Sequence, residues 1–223
     1  MNFFQHNGYR IIPQQVKLRS IALLKRRINE YIEYEPVYGI RDLHLKIKAI
    51  ALFGRSNLIQ DILHEHTNNR QFKLIKAIFF NKNLQHNWAV PWHQDKTIAV
   101  REKKIIPGYK NWTTKQGVPH VQPPSKILEK NATIRIALDD TNIDNGALKV
   151  IPRSHQLGIL NQTKINHLVR EESPVICNLK AGDILLMSPL ILHSSSRSTH
   201  NTNRQIIHLE YSSSNLPQDL TWH

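Results

Sequence analysis

A change in the spacing of apolar residues near position 72 restricts the fold of this chain more than any other feature. Within residues 14–66, apolar residues recur at helical spacing in two stretches, and Ser56 is expected to cap the second one. From residue 72 onward, short β-branched and apolar runs are separated by Gly, Pro, Asn and Asp, as is typical of strands and turns. Helices followed by strands predict an α+β or mainly β fold with an antiparallel sheet or barrel.

The length of 223 residues suits one large domain. We therefore expect a single domain over residues 1–223, in which residues 1–70 are mainly helical and residues 71–223 form the β-rich core. Residues 101–130 are expected to form a long irregular loop, and such loops in compact domains often have a function. The Asn-Gly pair at 145–146 is expected to form a hairpin turn.

Composition and charge narrow the classes of function. Hydrophobic residues make up 40% of the chain and charged residues 21%, which predicts a folded core rather than a disordered chain. The one cysteine, Cys177, excludes an intramolecular disulfide and is expected to be a buried apolar residue. A run of about 18 apolar residues and a signal-peptide pattern are both absent, so we expect a cytoplasmic protein without a membrane span. The net charge of +13 is spread along the chain, so nucleic acid is not the expected partner.

His93 and Asp95, two positions apart in the stretch VPWHQDKTIAV, are candidate metal ligands. One His-x-Asp pair carries little information, because a chain with 13 histidines can contain such a pair by chance. His64 and His66 are a poorer pair, since residues two apart on a predicted helix point to different sides of it. Further residues elsewhere in the chain are therefore needed to support a metal site.

A second histidine and an arginine in the C-terminal third supply that support. His193 lies in a polar loop after an apolar strand, and Arg204 opens the next predicted strand. Two neutral imidazoles and one carboxylate can hold a metal ion that activates oxygen, and they leave coordination positions open. An arginine can bind the far carboxylate of a dicarboxylate co-substrate in bidentate fashion.

The alternation of side chains along two predicted strands adds a partly independent check. In the run TIRIALDD, Thr133 and Arg135 share the face opposite the isoleucines. In the run RQIIHLEYS, Arg204, His208 and Glu210 share one face. If Arg204 points into a site, His208 is therefore a candidate to line the same site.

Three motifs follow one another in the second half of the chain. They are H-Q-D at residues 93–95, D-N-G-x-L-x-V-I-P-x-S-H at 144–155, and G-D-x-x-x-M-x-P-L-x-x-H at 182–193. In this order they resemble the phytanoyl-CoA dioxygenase family of Fe(II)/2-oxoglutarate-dependent oxygenases, over about residues 74–222. The resemblance implies a double-stranded β-helix, that is, a cupin-like jelly roll, with N-terminal helices that buttress one sheet.

The resemblance also implies roles for individual residues. The expected iron ligands are His93, Asp95 and His193. The residues expected around 2-oxoglutarate are Arg204 and Ser195 at the distal carboxylate, Arg135 in the pocket wall and Gln94 between two of the ligands. The residues considered for the substrate wall are Trp92, His208, and three members of the 101–130 loop, namely Tyr109, Trp112 and His120.

The implied reaction is hydroxylation of a small organic substrate, with Fe(II) as cofactor, 2-oxoglutarate and O₂ as co-substrates, and succinate and CO₂ as products. The carboxylate of Asp95 disfavours a halogenase, in which a small residue replaces this ligand. Lysines near the expected mouth favour an anionic substrate, namely Lys82, Lys96, Lys103 and Lys104.

Three other interpretations remain open. A nucleic-acid-directed oxygenase would suit the charge of +13, but such enzymes typically carry a second arginine six residues beyond the anchoring one, where this chain has Glu210. A non-catalytic jelly-roll module that binds a metabolite or a protein would take up no iron and form no succinate. A zinc- or manganese-dependent cupin isomerase would leave Arg204 without a co-substrate to bind.

Overall fold

The computed structural model describes residues 2–33, 39–67, 71–83, 85–200, 203–217 and 219–223. The helices are α1 (Phe3–Asn7), α2 (Leu18–Ile32), α3 (Leu43–Lys46), α4 (Lys48–Gly54), α5 (Asn57–Thr67), α6 (Ser125–Leu128) and α7 (Gln162–Glu171). The strands are β1 (Tyr9–Ile12), β2 (Gly39–Arg41), β3 (Lys73–Lys82), β4 (Val90–His93), β5 (Ile98–Ala99), β6 (Lys110–Lys115), β7 (Val118–Gln122), β8 (Asn131–Ala137), β9 (Leu148–Ile151), β10 (Val175–Cys177), β11 (Ile184–Met187), β12 (Leu192–Ser195) and β13 (Arg204–Ser212).

The described strands form three antiparallel sheets. The large sheet has the order β1-β11-β8-β13-β3-β2, and the small sheet has the order β10-β9-β12-β4. An apolar cluster that includes Leu148 and Val150 of the small sheet and Leu185 and Ile206 of the large sheet joins the two. Two antiparallel sheets packed in this way, with N-terminal helices on the large one, confirm the predicted jelly roll.

The N-terminal helices cover the outer face of the large sheet. Helix α2 buries Ile21, Leu24 and Ile28, as its helical spacing predicts, and α5 buries its own apolar face in the same cluster. The sheet contributes Ile207 and Leu209 of β13 to that cluster. Because successive strand residues point to opposite faces, the alternate residues of β13 point toward the small sheet.

Two parts of the helical prediction for residues 14–66 need correction. Strand β2 lies within that region and pairs with β3, so the region is not purely helical. Ser56 directly precedes α5, but its hydroxyl is buried without a hydrogen-bond partner and therefore does not cap the helix. Further upstream, β1 forms an edge of the large sheet by pairing with β11. None of the helices in the described residues is long and apolar enough to cross a bilayer.

The prediction of an irregular loop over residues 101–130 was wrong. Strands β6 and β7 form a hairpin there, and β5 adds a third strand to make the sheet β5-β7-β6. Gln116 and Gly117 at the tip have φ values of 49° and 81°, the backbone that a tight two-residue hairpin turn requires. Strand β6 was missed because its sequence KNWTTK is mostly polar and exposed on both faces, so it lacks alternating apolar residues.

The Asn-Gly pair at 145–146 does not form the expected β-hairpin turn. Residues Ile143–Asn145 form a short 3-10 helix that carries the chain from β8 in the large sheet to β9 in the small sheet. Gly146 follows with a φ of +76°. Its carbonyl oxygen accepts hydrogen bonds from Arg204 Nη1 at 2.7 Å and from Ser195 Oγ at 2.8 Å. This crossover therefore fixes two of the side chains expected in the site.

We expect Gly146→Ala to destabilise the protein by about 1–3 kcal/mol, because a side chain there requires a strained backbone and its Cβ would overlap the carbonyl oxygen of Ser196. Gly117→Ala is the matched control, since Gly117 also has a positive φ of +81° but its Cβ would meet nothing within 4 Å. Urea unfolding of both variants measures the difference. Equal losses of unfolding free energy would contradict a packing role for Gly146.

Candidate metal centre

Antiparallel pairing within the small sheet brings the three expected metal ligands together. His93 at the end of β4 lies directly opposite His193, which belongs to strand β12 and not to the polar loop expected from the sequence. Asp95 follows two residues later, and its backbone N–H donates to the Pro189 carbonyl at 2.8 Å. One carboxylate oxygen of Asp95 lies 3.7 Å from His93 Nε2, and the other lies 3.7 Å from His193 Nε2. The three candidate ligand atoms lie within 4.8 Å of one another.

The hydrogen bonds of the two imidazoles present the correct nitrogens to a metal ion. His93 Nδ1 lies 2.9 Å from the Pro91 carbonyl oxygen, and His193 Nδ1 lies 2.8 Å from that of Ile191. A carbonyl oxygen can only accept, so each Nδ1 carries the proton. Each Nε2 lone pair is thereby left free and directed at the Asp95 carboxylate. This is the arrangement that metal-binding histidines typically have.

The charge states of two of these ligands also suit a divalent cation. Burial, the largest effect, lowers the pKa of His193 to about 4, so the imidazole is neutral at neutral pH. Burial acts on Asp95 in the opposite direction, but the neighbouring histidines, His193 foremost, outweigh it and the pKa of Asp95 is lowered. A neutral imidazole and an ionised carboxylate are the forms that bind metal.

The three ligands open onto a cavity of about 390 Å³ between the two sheets. That volume lies within the range of small-molecule sites. Apolar walls come from Ile78, Phe80, Val90 and Leu148. The charged residues in the lining are six cations and two carboxylates, namely Arg41, Lys76, Lys96, Lys115, Arg135, Arg204, Asp95 and Glu210.

One end of the cavity contains a buried cluster of positive charge. Arg204 is 4% exposed, and its Nε is buried without a hydrogen-bond partner among the described residues. Lys82, opposite Arg204 on β3, is 0% exposed and donates to Ser195 Oγ at 3.0 Å and to the Ser196 carbonyl at 2.6 Å. Buried cations without a nearby carboxylate are costly, and an anionic ligand would offset that cost.

A chain of polar contacts runs along the large-sheet wall of the cavity. Arg135 Nη1 donates to His208 Nδ1 at 3.0 Å, and His208 Nε2 donates to Glu210 at 3.2 Å. Lys76 also donates to Glu210, at 2.6 Å. Burial raises the pKa of Glu210, but Lys76 and His208 outweigh it, so its pKa is lowered and it stays ionised. The order along this wall is therefore the cation Arg135, the neutral His208, the anion Glu210 and the cation Lys76.

Two of the residues proposed from the sequence have a different environment. Gln94 borders the cavity, but its amide donates to the carbonyls of Gly158 and Leu190, and its oxygen accepts from the Leu160 N–H. Its polar atoms thus hold the segment between two ligands instead of facing a co-substrate. Trp92 packs on an apolar cluster beside α7, because alternation along β4 directs it away from His93.

The residues considered in the 101–130 region also lie outside the cavity lining. Tyr109 and Trp112 pack on a separate apolar cluster, and neither lines the cavity. His120 is 3% exposed, and its Nδ1 donates to the Val118 carbonyl at 3.0 Å. From the same hairpin, Lys115 reaches the cavity instead. Its strand was not recognised in the sequence, so nothing there indicated its direction.

Of the four lysines expected at the mouth, two lie at or next to the cavity and two do not. Lys96 lines the cavity, and Lys82 lies just behind its buried end. Lys103 is exposed and Lys104 pairs with Glu102 at 3.0 Å, and neither lines the cavity. Arg41 and Lys76 were missed, although the pairing of β3 with β13 places Lys76 opposite Glu210.

Comparison with known proteins agrees with this architecture. The nogalamycin-biosynthesis carbocyclase SnoK, described as non-heme and alpha-ketoglutarate-dependent, has a TM-score of 0.73 at 14% identity and covers 99% of this chain and 84% of its own. EctD from S. alaskensis, solved with 2-oxoglutarate and 5-hydroxyectoine, has a TM-score of 0.72 at 16% identity, covering 94% and 73%. HygX from Streptomyces hygroscopicus, solved with nickel and 2-oxoglutarate, has a TM-score of 0.70 at 13% identity, covering 96% and 86%. Comparison with curated protein sequences gives no match.

At these identities the solved structures show that the jelly-roll fold is shared. The sequence itself matches the family model for phytanoyl-CoA dioxygenase over residues 4–206. That range holds all three candidate metal ligands and Arg204. The chain therefore belongs to the phytanoyl-CoA dioxygenase family.

The buried Lys82 predicts a specific dependence of stability on pH. Burial, followed by repulsion from Arg204 and Arg135, lowers its pKa from 10.5 to about 7. Between these two values the unfolded chain binds the proton more tightly, so the free energy of unfolding should rise as pH increases. We expect a smaller rise in Lys82→Met than in the wild type when urea unfolding is measured from about pH 7.5 to 9.

The exposed Lys126 supplies the control, and Lys126→Met should show the same rise as the wild-type protein. The pH window lies above the range in which the buried histidines titrate, so they do not contribute to the difference. An identical pH dependence for Lys82→Met and the wild type would contradict the depressed pKa.

Proposed function

We propose that this protein is an Fe(II)- and 2-oxoglutarate-dependent oxygenase that hydroxylates a small organic substrate and releases succinate and CO₂. The observation that carries the proposal is one cavity that contains both the His93, Asp95 and His193 cluster and the buried Arg204. A metal site alone would fit several cupin-like proteins. A buried guanidinium with an unpartnered Nε in the same cavity also calls for an anionic co-substrate.

The donor set fits ferrous iron. Two neutral imidazoles and one carboxylate on one side of a cavity are the ligands typical of non-heme Fe(II) oxygenases, and they leave positions free for exogenous ligands. When bound, iron with 2-oxoglutarate would supply the oxidising power for the reaction with O₂. The contribution of the chain is to hold His93, Asp95 and His193 in place through the carbonyl and amide contacts of their strands.

The co-substrate would lie with its distal carboxylate at Arg204. Ser195 Oγ and Lys82 lie beside that guanidinium, and the Gly146 carbonyl fixes both Arg204 and Ser195. The positive charge of Arg204 and Lys82 would be offset by a dicarboxylate. Gln94 acts as a positioning residue, because it ties the segment between His93 and Asp95 to three backbone groups.

Hydroxylation of the substrate is the most specific part of the proposal. The structural neighbours include a carbocyclase and an epimerase besides EctD, so the fold permits several outcomes. Hydroxylation is supported by the carboxylate of Asp95 at the third ligand position, where a halogenase would have a small residue. The small cavity supports a metabolite-sized substrate, and the ionised Glu210 on its wall disfavours a polyanionic nucleic acid.

We also propose that residues 1–223 form a single domain.

Removal of a metal ligand is the first test. His93→Ala and Asp95→Ala should each abolish iron-dependent succinate formation and weaken Ni²⁺ binding at least tenfold in isothermal titration calorimetry, since each leaves two protein ligands. His64→Ala changes an exposed histidine on α5 and should retain both properties. Full succinate formation by either ligand variant would show that the metal is held elsewhere.

Removal of the proposed co-substrate anchor is the second test. Arg204→Ala should raise the 2-oxoglutarate concentration needed for half-maximal succinate formation by about 10–100-fold, as expected for a lost hydrogen-bonded charge pair. Its Ni²⁺ affinity should stay close to that of the wild type. Arg197→Ala removes an exposed arginine nearby and serves as the control. An unchanged requirement for 2-oxoglutarate in Arg204→Ala would move the anchor to another residue.

A further inference from the structure

The end of the cavity remote from Arg204 contains an excess of positive charge. Three cations, Arg41 of β2, Lys76 of β3 and Lys115 of β6, line the cavity beside one carboxylate, Glu210. Lys76 pairs with Glu210 at 2.6 Å, so this carboxylate is already engaged. Within the described ranges, neither Arg41 nor Lys115 forms an ion pair or a side-chain hydrogen bond.

The three cations line the same part of the cavity, and Lys115 is affected by the other two. Burial is the largest cause of the lowered pKa of Lys115, and repulsion from Lys76 and Arg41 lowers it further, outweighing the opposite effect of Asp95 and Glu210. The same three cations also lower the pKa of His120, after the effect of burial. Like charges held together in a partly buried place are unfavourable unless an anion lies between them.

Three separate elements are needed to assemble this cluster. Arg41 comes from the edge strand of the large sheet, where it lies opposite Ile78, and Lys76 comes from the neighbouring strand. Lys115 comes from the third sheet and directly precedes the tight turn of its hairpin. The hairpin thus contributes a charged group to the cavity of the jelly roll, although most of its own strand β6 is exposed.

The cluster is distinct from the co-substrate anchor. Along β13, Glu210 lies six residues beyond Arg204 on the same face, which corresponds to about 20 Å at roughly 3.4 Å per residue. His208 and Glu210 line the same cavity as Asp95 and His193, so the cluster and the candidate metal ligands share one enclosed space. A molecule bound at this end could therefore extend toward the candidate metal ligands without occupying the Arg204 end of the cavity.

We infer that Arg41, Lys76 and Lys115 form a substrate subsite that binds a carboxylate or phosphate group of the primary substrate. Glu210 orients Lys76 by accepting its hydrogen bond. The substrate would then extend from this subsite toward the metal, with its apolar part against Ile78 and Phe80. This inference rests on the proposed function for the reaction, but the anion subsite itself can be measured by binding alone.

The test uses protein loaded with Ni²⁺ and saturated with 2-oxoglutarate, so that Arg204 is already occupied. Inorganic phosphate and acetate are titrated separately by isothermal titration calorimetry into the wild type and into the double variant Arg41→Gln, Lys115→Gln. We expect the double variant to bind the preferred anion at least tenfold more weakly, with Ni²⁺ and 2-oxoglutarate affinities unchanged. Preference for phosphate would indicate a phosphate ester as substrate, and preference for acetate would indicate a carboxylic acid.

Lys110→Gln is the matched control, because Lys110 lies on the same strand as Lys115 but is exposed and outside the cavity lining. It should bind both anions within twofold of the wild type. The inference is overturned if the double variant binds as tightly as the wild type, if Lys110→Gln loses as much affinity, or if the wild type binds neither anion. If the wild-type protein bound neither Ni²⁺ nor 2-oxoglutarate, the proposed function would be overturned instead. The anion titrations of the wild type and the double variant, repeated without Ni²⁺ and 2-oxoglutarate, would still show whether the anion subsite exists.

Discussion

The central position of β13 in the large sheet is the constraint on which the rest of the site depends. Its neighbours on both sides are fixed by antiparallel pairing, with β8 on one edge and β3 on the other. Ile207 and Leu209 on its outer face are buried against the helices, so a slip by one residue would bury the charged face there instead. The hydrophobic packing of the helices thereby fixes which residues face the cavity, and Arg204, His208 and Glu210 are among them.

The cavity contains more positive than negative side chains, so its charge is not balanced by the protein's own residues. Arg204 and Lys82 lie opposite each other on two strands, deeply buried, and burial together with repulsion from neighbouring arginines lowers the pKa of each. Burying charge in this way costs free energy that the apolar clusters around the sheets must offset. A site of this kind is stabilised by its ligands, since binding to the folded chain alone shifts the folding equilibrium. The free-energy cost of these buried charges would therefore be reduced by an anion bound between them.

The sequence indicated the parts of this site that lie on apolar strands or in specific motifs. His193 follows a long apolar run, and the alternation in RQIIHLEYS placed His208 on the face of Arg204, as the structure has it. Lys115 could not be found in the same way, because β6 is polar on both faces and is held by pairing with β7 rather than by a buried side. Trp92 directly precedes a candidate ligand, but strand alternation directs it to the opposite face, where it packs on an apolar cluster.

Glu210 makes the two groups of cations in the cavity differ from each other. Among the described residues, neither Arg204 nor Lys82 forms an ion pair with a carboxylate, whereas Lys76 at the other end is paired with Glu210. Because Glu210 also accepts from His208, it keeps that imidazole with its proton on Nε2 and its Nδ1 lone pair toward Arg135. Arg135 is thus held by a neutral acceptor and retains its full charge in the middle of the cavity. An arginine in place of Glu210 would remove the partner of Lys76 and leave the proposed substrate end, like the Arg204 end, with cations alone, so this carboxylate is what makes the two ends of the cavity chemically different.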